Sequence, residues 1–330
     1  MAEDRAAALS HLLARAGWAE AEHRPLAGDA SFRRYVRLVR GRDSAMLMDA
    51  PPPRENVRPW LTVAERLDAL GFRAPRVLGR DIEHGYLLIE DFGDRTFTRA
   101  LGAGADEAAL YESAVDLLID LHRRDAGQHI LPPYDQALYE TELALFIDWY
   151  LPAVLGRPLD AALVADYRVI WRALLARTQA LPETLVLRDY HVDNLMLLED
   201  GAVGLIDFQD AVRGPVAYDL VSLLKDARRD VDCDLAESLT RRYLAAFPAL
   251  DEAAFRAAAA ILSTQRLLKI IGIFTRLDRR DGKPVYLAHI PRLWRLVEEE
   301  LRHPALAPVK AWLDRAVPQA ARCIPGERVA

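Results

Sequence analysis

Arg188 and Asp189 close an apolar run, Leu185-Val186-Leu187. Asn194 follows Asp189 by five residues, and Asp207 stands thirteen beyond Asn194, at the end of a second apolar run, Val203 to Ile206. A set of this kind can transfer the γ-phosphoryl group of ATP. Asp189 would orient an attacking hydroxyl and take its proton, while Asn194 and Asp207 would offer hard oxygen ligands to Mg²⁺. An Asp and an Asn could share a turn by chance. Asp207 weakens that reading, because a carboxylate ending a buried strand is costly unless paired or metal-bound.

These side chains need short strands and loops to carry them. Thr184 to Leu187, Leu195 to Leu198 and Val203 to Ile206 read as strands, the last two joined through Asp200-Gly201. Upstream, Leu9, Leu12 and Leu13 recur at helical spacing, and Phe32 to Val39 alternates arginine with apolar or aromatic residues. Gly41-Arg42-Asp43 reads as a hairpin turn into a strand at Ala45 to Met48, ended by prolines 51 to 53. A helix is expected from Val57 to Leu70, and Val77-Leu78 with Tyr86 to Ile89 complete a sheet. The first ninety residues thus read helix, strand, strand, helix, strand, strand. Beyond Glu90 helices dominate, at 108–122, 137–150, 163–179 and 217–226, with three more toward the C-terminus. The expected fold is α+β and protein-kinase-like, with two lobes. A small antiparallel-sheet N-lobe (1–90) leads through an interlobe linker (91–97) to a larger, mainly helical C-lobe (98–330).

Composition sets outer bounds. The 330 residues are 52% hydrophobic, enough for a large core in two lobes. A formal net charge of -6 argues against general nucleic-acid binding. Cys233 and Cys323 have neither metal-ligand spacing nor the count of a disulfide framework, which fits a reducing cytoplasm. The N-terminus lacks the basic start of a secretory signal, and no run of about 18 apolar residues points to a membrane span. The expected partner is a small molecule, with no nucleic acid, no membrane and a monomeric chain.

Asp91-Phe92-Gly93 spells a kinase metal motif, but it precedes Asp189 by almost a hundred residues. Chain order assigns it instead to the linker, where backbone groups of Glu90, Asp91 and Phe92 would meet the adenine edge; a turn without nucleotide contact is the alternative. Gly28 to Tyr35 occupies the place of a phosphate-covering loop, with Gly28, Ser31, Arg33 and Arg34 as candidate contacts and an ordinary β-turn as the plain reading. The strand lysine of such enzymes is missing: Met48 holds its place, and no lysine occurs before Lys225. Arg33 or Arg34 could supply the charge, since guanidinium grips phosphate bidentately, or both could be solvated strand residues. Glu65, on the helix where a lysine's carboxylate partner would sit, is a weaker candidate.

With Gly214-Pro215-Val216-Ala217-Tyr218-Asp219-Leu220 after the Asp207 strand, these motifs resemble the aminoglycoside phosphotransferase and choline kinase superfamily across nearly the whole chain. The resemblance implies that Asp219 accepts backbone N–H bonds to hold the catalytic loop. Gly28 to Tyr35, Met48-Asp49-Ala50-Pro51-Pro52, Arg188 to His191, Asp207 to Ala211 and Ile271 to Phe274 with Arg276 look closer still to one subgroup. Its members are the anomeric N-acetylmuramate and N-acetylglucosamine kinases of bacterial cell-wall recycling, which also lack the strand lysine. Leu187 and Val192-Asp193 depart from the pattern, and Asp193 adds negative charge beside the metal site.

The resemblance implies an ATP- and Mg²⁺-dependent sugar kinase acting on C1 of an amino sugar. Glu142, Asp148, Trp149 and Tyr150 suit sugar hydroxyls and ring faces, although core packing is the plainer reading of the two aromatic residues. His191 could contact the sugar or brace the loop. Gln265, Lys269, Gly272 and Arg276 form one helical stripe that could meet an acidic lactyl group or face solvent. Related kinases of aminoglycosides, choline or homoserine, and a catalytically silent nucleotide-binding module, are the alternative readings.

Overall fold

The computed structural model describes residues 2–26, 32–125 and 131–327. In chain order the elements are α1 (Ala2–Arg15), β1 (Glu22–Pro25), β2 (Arg34–Arg40), β3 (Asp43–Asp49), α2 (Arg58–Ala69), β4 (Val77–Asp81), β5 (Tyr86–Glu90), α3 (Phe97–Gly102) and α4 (Glu107–Arg124). Next come α5 (Gln136–Leu145), a π-helical turn at Phe146–Tyr150, α6 (Leu151–Leu155), α7 (Ala161–Thr178), β6 (Glu183–Val186), β7 (Leu195–Leu197), β8 (Val203–Leu205) and β9 (Val212–Pro215). The chain continues with α8 (Tyr218–Leu224), α9 (Cys233–Ala246), α10 (Glu252–Asp281), α11 (Ile290–Glu300) and α12 (Ala307–Ala316).

The chain packs as two units, Met1–Leu110 with Val192–Ala211, and Tyr111–His191 with Val212–Ala330. This division differs from the expected partition: the linker and α3 fall in the first unit, and so does the β7–β8 hairpin. In the first unit an antiparallel sheet of order β1-β2-β3-β5-β4 is built around the β2–β3 hairpin. Arg40 pairs with Asp43 across a two-residue turn, where Gly41 takes a left-handed φ of 62°. Leu12 and Leu13 of α1 pack with Trp18 against Leu38, Ala45, Leu47, Tyr86 and Leu88 of the sheet. The hairpin β7–β8 joins this unit by backbone bonds on both sides. Leu205 N–H donates to Arg73 O at 2.8 Å, and Leu197 N–H donates to Arg95 O at 2.8 Å.

Strand β1 was not expected, because Glu22-His23-Arg24-Pro25 is exposed throughout and carries no alternation. Strand β9, four residues paired with β6, escaped the reading for its brevity. The expected helix 137–150 is α5 followed by the π-helical turn.

In the second unit α10 is the central element. Asp251 caps it by accepting Ala254 N–H at 2.7 Å, and Gly282 ends it at φ 65°. Every residue from Ala260 to Gly272 is buried, which makes α10 a core helix rather than a half-exposed one. It is long and apolar enough to cross a membrane by composition, yet 83% of that window is buried inside the protein. Gly272 has a specific packing role: a Cβ there would lie 2.4 Å from the carbonyl carbon of Leu145 and 2.6 Å from the amide nitrogen of Phe146. That close approach of α10 to the end of α5 sets Glu142 against Gln265 and Lys269.

Candidate active site

The loop that carries Asp189 belongs to the helical unit and leaves from β6, where Leu185 N–H donates to the buried Asp125 carboxylate at 2.9 Å. Beyond the strand, Leu187 and Arg188 N–H groups donate to Asp219 at 2.6 and 2.9 Å. Arg188 has a φ of 68°, a left-handed conformation that costs about 1–2 kcal/mol for a residue with a Cβ. Asp219, in the first turn of α8, offsets that cost by satisfying two amides the turn would otherwise leave without partners. It is fully buried, and burial pushes its carboxyl up to about 7 against the lowering pull of those two N–H bonds. Tyr190 extends the anchoring, donating its hydroxyl to Ala114 O at 2.8 Å.

Side chains of α5 and α10 then receive the loop. Glu142 accepts from Tyr134 Oη at 2.5 Å, Gln265 Nε2 at 2.8 Å and Lys269 Nζ at 2.8 Å, and also from Arg188 Nη2. Burial alone would raise its carboxyl; Lys269 and Arg188 outweigh that and bring it down to about 2. The adjacent residue, Asp189, accepts from Arg266 Nη1 at 3.4 Å. Burial opposes its ionisation too, but Arg266, Lys269, His191 and Arg188 hold the carboxyl well below the usual carboxylate range. Asp189 is therefore an ionised carboxylate at neutral pH, able to accept a proton. His191 is buried, and burial depresses its imidazole pKa despite the charges of Asp226 and Asp189.

The first unit carries the other two residues of the spacing pattern. Asn194 immediately precedes β7 and Asp207 follows β8 by two residues. The register Leu195 with Leu205, and Ile206 N–H donating to Asn194 O at 3.2 Å, bring both to the same end of the hairpin. Asp207 adopts a φ of 59° and accepts from Gln209 Nε2 at 2.9 Å. It is exposed rather than buried as the strand pattern suggested. Next to it Phe208 is buried against Trp60 of α2, ring centroids 5.2 Å apart, which anchors the turn. An amide oxygen and a carboxylate at one end of a hairpin suit Mg²⁺, which takes few protein ligands and completes its shell with phosphate and water. Asp193 accepts from Thr98 Oγ1, in the first turn of α3.

Of the expected nucleotide contacts, Gly28 and Ser31 lie outside the described residues. Arg33 is partly buried and paired with Glu55 at 3.0 Å, whereas Arg34 is largely exposed and reaches Asp49 at 2.9 Å. Met48 is buried in β3, so the lysine position is a core position here. Glu65 is exposed and lies 3.7 Å from Arg80. Asp91 is almost fully buried and bound to Arg37 at 2.6 Å, and its carboxylate also accepts Gly93 N–H at 2.9 Å. Glu90 binds Arg76 at 2.9 Å. Phe92 packs over Gly204, where a Cβ would sit 2.9 Å from the ring. The side chains of Glu90 and Asp91 thus hold the segment, leaving any adenine contact to its backbone.

Among the expected sugar contacts, Glu142 has its oxygens occupied by four donors, and Gln265 and Lys269 are buried against it rather than on a solvated face. Asp148 is exposed in the π-helical turn, Trp149 is partly buried beside it, and Tyr150 is buried with its hydroxyl on the Ala321 and Cys323 carbonyls. Arg276 is half-buried, its pKa lowered by burial and by Arg280. Sequence reasoning missed Arg266. The available signal was the cluster Gln265, Arg266 and Lys269 inside an otherwise apolar helix.

The model of the phosphotransferase enzyme family matches residues 22–256. The chain belongs to that family. Relatives include the N-acetylmuramate/N-acetylglucosamine kinase of Caulobacter vibrioides, 38% identical over 96% of this chain and 98% of the relative. The enzyme of the same name from Pseudomonas aeruginosa is 41% identical over 91% of this chain and 90% of the relative. Among solved structures, a choline/ethanolamine kinase family protein from Mesorhizobium loti shares the fold with a TM-score of 0.62 at 18% identity, covering 95% of this chain and 99% of that one. The GDP complex of an aminoglycoside 2′-phosphotransferase has a TM-score of 0.61 at 15% identity, covering 92% and 99%. The antiparallel sheet followed by a mainly helical remainder is thus the kinase-like fold expected from the sequence.

Proposed function

We propose that the chain transfers the γ-phosphoryl group of ATP to the anomeric hydroxyl of N-acetylmuramate and N-acetylglucosamine, in the reuse of cell-wall sugars in the cytoplasm. The observation that carries this reading is Asp189: a carboxylate kept ionised by Arg266 and Lys269, on a loop whose backbone is held by Asp219. The names of relatives similar over nine-tenths of the chain or more support the choice of acceptor.

In the reaction the C1 hydroxyl oxygen forms a bond to the γ-phosphorus as the bond from that phosphorus to the β,γ-bridging oxygen breaks. The hydroxyl proton passes to a carboxylate oxygen of Asp189, and ADP leaves with the bridging electron pair. Asn194 and Asp207 would hold Mg²⁺, which when bound offsets phosphate charge. Arg34, the exposed member of the arginine pair beside Asp49, is the candidate phosphate contact, while Arg33 is paired with Glu55. His191, Asp148, Trp149 and Arg276 remain the candidate sugar contacts, and Glu142 acts behind Arg188.

The test is an acceptor panel with N-acetylmuramate, N-acetylglucosamine, kanamycin, choline and homoserine, read by ADP release and by phosphorus NMR of the product. Turnover of the two amino sugars, with a C1 phosphate product and none from their methyl glycosides, is expected. Faster turnover of choline, homoserine or kanamycin would overturn the assignment.

A further inference from the structure

We propose that Arg266 is the positioning residue for Asp189, fixing the carboxylate in the orientation from which it meets the acceptor hydroxyl. This rests on the reaction proposed above. Arg266 is 5% exposed and lies within the stretch of α10 that is buried without a break. A buried guanidinium is costly unless paired, and an aliphatic residue of similar volume would serve the core at least as well. Its guanidinium pairs with Asp189, Nη1 lying 3.4 Å from Oδ1. Its Nε–H has no hydrogen-bond partner among the described residues. The guanidinium also meets Tyr218, the neighbour of Asp219, through a side-chain hydrogen bond and with the ring centre 5.9 Å away.

The loop is thereby held at two levels by adjacent parts of the fold. Asp219 fixes the backbone of Leu187 and Arg188. Arg266 acts one atom group further out, on the Asp189 carboxylate itself. Lys269, one turn along α10, pairs with Glu142, which accepts in turn from Arg188 of the loop, whereas Arg266 meets Asp189 directly. A base displaced by about 1 Å costs on the order of 10²-fold in rate, so a rate loss of that order is expected when Arg266 is removed.

The experiment uses the full chain with Arg266→Met, Arg266→Lys, Asp189→Asn and both double variants, measuring kcat, KM for N-acetylglucosamine, Mg·ATP affinity and single-turnover rates. Arg266→Met should lower kcat about 10²-fold while KM and nucleotide affinity stay within about threefold, and Arg266→Lys should recover about tenfold of the loss. In the Asp189→Asn background the Arg266 substitution should change the rate no further, since residues acting as a unit are non-additive. A folded Arg266→Met enzyme with kcat within about threefold of the parent would overturn the proposal, as would a loss persisting undiminished beside Asp189→Asn. Should Arg266→Met not fold, Arg266→Lys and its double variant carry the same cycle. Full activity of Asp189→Asn alone would instead refute the assignment of the base, an outcome distinct from either.

Discussion

Replacing Glu142 with Gln keeps the size of the side chain and removes its charge. The carboxylate is buried, and Lys269 and Arg188 both depend on it. Removing one partner of a buried ion pair typically costs about 3–5 kcal/mol, because the remaining charge is left uncompensated. The pKa gives a second route to the magnitude. A carboxyl held at about 2 in the fold, against an ordinary value of 4.5, corresponds to about 3 kcal/mol of stabilisation by linkage. The sign follows from the depressed folded-state pKa: this stability is fully present above pH 4.5 and lost as pH falls through about 2. Urea unfolding at pH 7, followed by far-UV circular dichroism, should show Glu142→Gln less stable by about 3 kcal/mol. The deficit relative to the parent should shrink on titration below pH 4.5. Removing one of the two stranded cations with Lys269→Met in the same chain should return part of the loss, a coupling of at least about 1 kcal/mol. A Glu142→Gln deficit below about 1 kcal/mol at pH 7, or strict additivity with Lys269→Met, would refute the reasoning.

Gly272→Ala should destabilise the helical unit by about 1–3 kcal/mol in the same assay, since the new methyl group overlaps the Leu145 and Phe146 backbone. Asp219→Ala leaves two buried amides without acceptors and should cost about 2–5 kcal/mol, with turnover falling further than stability alone explains. Asp207→Asn, an exposed change that Asn tolerates at positive φ, should leave the melting temperature nearly unchanged while turnover falls at least about 10²-fold. Chelation of Mg²⁺ should abolish turnover in the parent.

Local patterns in the sequence carried the loop of Asp189 and the hairpin that follows it. Asp189, Asn194 and Asp207 lie on short strands and turns, so their spacing fixes their order and the hairpin that brings the last two together. Chain order also set Asp91-Phe92-Gly93 apart from Asn194 and Asp207, and the structure gives the Asp91 carboxylate a concrete partner in Arg37. What the sequence could not show is who meets whom across the fold. Glu142 and Lys269 are 127 residues apart, and Asp189 and Arg266 are 77 apart, so no periodicity or local motif links them. Polar residues on α10 resembled a solvated stripe because helical spacing does not distinguish water from a buried carboxylate. Gly272 carried a clue of a different kind, a residue without a side chain where two backbones nearly touch. Strand β1 was illegible because its four exposed residues pair through backbone groups alone.

The most direct test of phosphoryl transfer through Asp189 is turnover by Asp189→Ala with N-acetylglucosamine and Mg·ATP, alongside nucleotide affinity measured calorimetrically. Turnover should fall by at least about 10²–10⁴-fold, the usual contribution of a positioned general base, with Mg·ATP affinity within about threefold of the parent. Retained turnover in a pure, folded Asp189→Ala preparation would contradict the account.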